Sequence, residues 1–74
     1  MEPETPITVL DVVALLADQP DHGLVRGQVG TVVEQLADGV FEVEFSDDDG
    51  RTYAELALER HILLVLRHRP VKAA

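Results

Sequence analysis

Cysteine is absent from this sequence, so neither a disulfide framework nor a thiolate metal site is open to it. Tryptophan is absent too, and the aromatic content reduces to Phe41, Phe45 and Tyr53. Cations are scarce: six Lys and Arg stand against fourteen Asp and Glu, a formal net charge of −8. That balance makes nucleic acid an unfavoured partner, because such binding draws most of its affinity from Lys and Arg at phosphates. No apolar run approaches the roughly 20 residues that span a bilayer, which argues against a membrane role. Residues 1–6 hold two Pro and two Glu and lack the basic stretch and apolar segment of a secretory signal. They are expected to form a disordered leader on a cytoplasmic protein.

What remains is aliphatic. The chain is 46% hydrophobic over 74 residues, enough for one small domain and too apolar for a disordered acidic tail. Ten Leu, eleven Val and two Ile supply the interior, and the β-branched majority suits pleated strands. A chain this short buries only roughly 60% of its unfolded surface, which favours a sheet rolled on itself or held by a partner.

Along the chain, residues 7–16 are ambiguous. Val9, Val12, Val13 and Leu16 stand at helical spacing, yet residues 11–16 are a short apolar run ended by turn formers. A strand is the preferred reading. Residues 17–27 read as a long loop anchored by Leu24 and Val25, either a strand connection or a binding loop. Residues 29–36 read as a strand in which Gly30 marks a bend, a bulge or a close approach. A tight turn at Asp38-Gly39 leads into residues 40–45, where Phe41, Val43 and Phe45 point one way and Glu42 and Glu44 the other. After an acidic turn at residues 46–50, residues 51–56 return as a strand with Thr52, Ala54 and Leu56 inward and Tyr53 and Glu55 outward. One helical turn is expected within residues 57–61. Residues 62–66 form an uninterrupted apolar strand, expected to be covered on both faces. The fold class is therefore all-β: a small SH3-like five-stranded barrel over residues 7–67, with a long first loop and one short helical turn before the last strand. Residues 68–74 are expected to be a flexible basic tail. A helix at residues 7–16 would instead give an α+β sandwich.

The run Asp11-Val12-Val13-Ala14-Leu15, then Pro20, Gly23-Leu24, the segment from Arg26-Gly27 to Val33, Phe41-Glu42-Val43-Glu44-Phe45 and Gly50-Arg51-Thr52 resembles a bacterial family of small uncharacterised proteins, a domain of unknown function. The resemblance spans residues 10–66. It implies an SH3-like barrel and, through toxin–antitoxin or immunity-type gene neighbours, an inhibitory partner role. More distantly, Arg26-Gly27-Gln28-Val29-Gly30-Thr31-Val32 is similar to the glycine-containing barrel motif of ribosomal and transcription-elongation proteins, and to nitrile hydratase β-type barrels. Two glycines at a loop-to-strand bend are explained more simply by backbone geometry.

Catalytic and metal chemistry find little footing. Read as a calcium loop with Gly50 at its sixth position, the Asp47-Asp48-Asp49-Gly50 run would place Phe45 first and Leu56 last, where oxygen ligands are needed. His22, His61 and His68 lack metal spacing. Ser46 is the sole serine and lies in an acidic turn, and so small a chain is expected to have little room for a substrate cleft, typically ~300 Å³ or more. The expectation is a protein without catalysis, cofactor or metal.

Surface character carries the functional reading. Glu42, Glu44, Asp47, Asp48, Asp49 and Glu55 are expected on or near one hairpin, as a negative patch that would dock a protein with a basic surface. Apolar residues exceed the needs of one interior, which predicts a homodimer through the first or last strand. The expected function is a non-catalytic acidic interaction module, antitoxin-like or immunity-like. The alternatives are an RNA-associated barrel using Gly27, Gly30 and the basic end, and an accessory subunit of an enzyme.

Overall fold

A computed structural model describes residues 6–68 and 70. Its strands are β1 (Val12–Leu15), β2 (Val29–Ala37), β3 (Val40–Ser46), β4 (Thr52–Glu59) and β5 (Leu63–Val65). All pair antiparallel in one sheet of order β4-β3-β2-β1-β5. Short 3-10 turns at Pro20–His22 and Arg60–Ile62 are the only helical elements among the described residues. The all-β fold class, the long first loop and the helical turn before the last strand are as the sequence predicts. The expected leader and basic tail fall mainly on residues 1–5, 69 and 71–74, outside the described residues.

Alternation builds the core. Val13 and Leu15 from β1, Val32 from β2, Phe41, Val43 and Phe45 from β3, and Leu56 and Leu58 from β4 all point inward. Ile7, Leu24 and Leu63 complete the cluster from outside the long strands. No polar or charged residue is buried among the described residues. Strand β2 serves two pairings: its start runs along β1 (Ala14 opposite Val29) and its remainder along β3 (Val32 opposite Val43). Thr31 belongs to both ladders, and Gly30 lies just before it. A Cβ there would meet Val43 Cγ1 at 2.8 Å, the Glu44 carbonyl at 2.9 Å and Phe45 Cδ2 at 3.0 Å, so the glycine answers to a close approach. Three residues earlier, Gly27 holds φ 94°, and its N–H donates to the Leu15 carbonyl.

Several expectations are corrected. Strand β1 begins only at Val12, because residues 8–11 form a turn in which Thr8 N–H donates to Asp11 Oδ2 and Asp11 N–H to the Thr8 carbonyl. Strand β4 continues to Glu59, since Leu58 keeps the inward period, and this displaces the helical turn to Arg60–Ile62. The last strand shrinks to three residues at a sheet edge, and Leu64 is about half exposed rather than covered. In the first loop Leu24 is an anchor, but Val25 lies in solvent. The loop is also better ordered than its composition suggests: Arg26 N–H donates to Asp18 Oδ1, Val25 N–H to Gln28 Oε1, and Gln19 and Leu24 form a lone bridge. Strand β1 is paired on both sides, and the edges of the sheet are β4 and β5.

Candidate functional site

Three adjacent strands, β2, β3 and β4, contain no Lys or Arg and five Glu. Register decides where those carboxylates meet. Glu44 on β3 stands directly opposite Glu55 on β4, and Glu42 stands directly opposite Glu34 on β2. Glu42 and Glu44 are half-buried beside their neighbours, whereas Glu34 and Glu55 are exposed. Like charges set across from one another on a sheet face destabilise it. The Glu55 carboxyl accordingly lies above its usual range: loss of hydration raises it first, then the negative charges of Glu42 and Glu44, then a hydrogen bond shared with Glu44.

Of the six residues expected in the patch, Glu42, Glu44 and Glu55 come together on this face. Asp47, Asp48 and Asp49 sit apart in the β3–β4 turn. Asp47 has a structural task there, its Oδ1 accepting from the N–H groups of Asp49 and Arg51, each at 2.9 Å. Asp48 and Asp49 are exposed at the tip. Glu34 was not expected in the patch. Simple alternation from Val32 puts Glu34 inward, but an irregularity between Val32 and Glu34 shifts the register and turns it outward beside Glu42.

Elsewhere on the surface, a depression of about 520 Å³ is lined by Ile7, Leu16, Leu63 and Leu64 together with Arg60 and Arg67. A second, of about 360 Å³, runs past Pro6, Gln35 and Phe41. Both depressions are open to solvent rather than enclosed. Among the described residues no group of three or more His, Asp or Glu is placed to hold a metal ion, and no helix is long and apolar enough to cross a membrane.

No curated protein and no solved structure matches this chain. The model of one family matches residues 9–65, from the turn before β1 to the last residue of β5, and so takes in all five strands and the whole glutamate face. The chain belongs to that family, the domain of unknown function DUF4926.

Proposed function

We propose that this protein is a non-catalytic interaction module that binds a basic surface of another protein through the glutamate face of β2, β3 and β4. The order β4-β3-β2-β1-β5, the long first loop and the 3-10 turn before β5 support reading the scaffold as an SH3-like barrel. One observation carries the functional reading: two directly opposed carboxylate pairs on a face whose strands supply no cation. A face shaped for solubility alone intersperses charges of both signs. Lys or Arg arriving from outside relieves this repulsion, and the field of the face speeds that arrival. An antitoxin-like or immunity-like role is one concrete form. The RNA-associated alternative draws less support, because Gly27 and Gly30 both have backbone tasks.

The test is capture from native lysate with the wild-type protein and with a variant carrying Glu34→Gln, Glu42→Gln, Glu44→Gln and Glu55→Gln. The wild type is expected to retain a basic protein in stoichiometric amount, released by raised salt, and the variant to retain none. Equal retention by both proteins, or no stoichiometric protein at all, refutes the reading.

A further inference from the structure

We propose that the partner's basic segment binds by strand addition, lying extended along the free edge of β4; the inference rests on the basic-partner reading above and specifies how that partner is held. Strand β4 is eight residues long, some 27 Å at about 3.4 Å per residue. Its only strand neighbour is β3, and among the described residues no loop backbone bonds to residues 52–59. A row of backbone donors and acceptors therefore faces outward.

Such edges are ordinarily blunted by shortness, proline, lysine or a bulge. Strand β5, the opposite edge, is blunted: it has three residues, with Arg67 and Pro70 soon after. Strand β4 has no Pro and no Lys, and its pairing with β3 is irregular only at the Phe45/Ser46 step near its start. Its side chains alternate, with Leu56 and Leu58 toward the core and Tyr53, Glu55, Ala57 and Glu59 outward.

Charge selects the occupant. A second copy pairing β4 to β4 antiparallel would set Glu55 against Tyr53, Glu55, Ala57 or Glu59 in the registers that keep the faces matched. Each register crowds two chains of net charge −8 along an acidic edge. An extended segment of another protein with Lys or Arg beside Glu55 meets the opposite condition. Glu59 already has His61 Nδ1 at 3.3 Å, so Glu55, pressed from behind by Glu44, is the position that most needs the incoming cation. The ligand is thus an extended stretch with basic residues at alternate or every fourth position on one side and apolar residues on the other.

The experiment titrates the isotopically labelled protein at low salt with the synthetic peptide Lys-Val-Thr-Val-Lys-Val-Thr-Val-Lys, which carries Lys at every fourth position on one side and Val along the other. Two further peptides carry the same side chains but are N-methylated at one or the other set of alternate backbone nitrogens. Strand addition predicts slowed amide exchange confined to β4 and its neighbours. It also predicts that one methylated set loses affinity by about tenfold or more while the other binds as before, because only one set of N–H groups faces β4. Both sets behaving alike, or protection elsewhere on the molecule, overturns strand addition but leaves the acidic-surface reading standing. No binding by the unmodified peptide overturns both. Glu55→Lys is expected to reverse the preference toward the matching Glu-Val-Thr-Val-Glu-Val-Thr-Val-Glu peptide, and an unchanged preference refutes the assigned position.

Discussion

Leu10 combines two unfavourable choices, a left-handed backbone at φ 80° and a side chain three-quarters exposed. An L-residue with a Cβ pays about 1–2 kcal/mol for that conformation. The turn enforces it all the same, because Leu10 N–H donates to the Val32 carbonyl at 2.7 Å while Thr8 and Asp11 close on one another. Leu10→Gly is therefore expected to stabilise the fold by about 0.5–1 kcal/mol, after the entropy cost of glycine, as a raised urea midpoint. Glu55 is the second residue held at a cost. Its folded-state pKa is raised above the ordinary value of 4.5, so the folded protein binds its proton more readily than the unfolded chain does. The corresponding stability is fully present below the unfolded pKa and is lost as pH rises through the folded one. Glu55→Gln is expected to raise the urea midpoint at pH 7, with a gain that narrows as pH falls to the ordinary value of 4.5 and below it. A gain that is constant across that range would show that the carboxylate charge is not the cause.

Among the elements, β3 was the most legible, because Phe41, Val43 and Phe45 against Glu42 and Glu44 leave a strand no second way to lie. The first strand was legible only in its core. Val13 and Leu15 point inward as a strand requires, but Val9, which opens the helical pattern, belongs to a turn stabilised by contacts with β2 that no local pattern encodes. The end of β4 was misjudged because Ala57 reads as neutral, whereas Leu58 is fully committed to the core. Three of the four carboxylates of the acidic face, Glu42, Glu44 and Glu55, are legible in the alternation of β3 and β4. Glu34 was hidden because a bulge is a tertiary event, set by how β2 bends between two partners. Earlier in β2, Gly30 leaves no room for a side chain. Gly30→Ala forces a methyl to within 3 Å of the Glu44 carbonyl, a backbone atom that cannot swing aside. The expected cost is about 1–3 kcal/mol, measured as a lowered unfolding midpoint. The turn after β3 is less demanding. Asp47→Ala removes the acceptor of two exposed N–H groups and is expected to cost about 1 kcal/mol.

For the whole molecule, charge is unevenly distributed. All fourteen acids lie within residues 1–59 beside Arg26 and Arg51, while Arg60, Arg67, Arg69 and Lys72 follow with none. Such a body repels itself, and salt shields the repulsion over a Debye length of about 10 Å at 0.1 M. Raising ionic strength from low to physiological values is therefore expected to raise the melting temperature. General self-repulsion and the local glutamate face make different predictions for the variant with Gln at positions 34, 42, 44 and 55. If charge is spread evenly in its effect, removing four of fourteen acids trims the salt response in modest proportion. If the opposed pairs dominate, as Glu44 facing Glu55 and Glu34 facing Glu42 imply, most of the salt response disappears with them. Melting curves of the two proteins at two salt concentrations separate the cases. A salt response left whole in the variant would mean that the face is not where the fold carries its electrostatic strain.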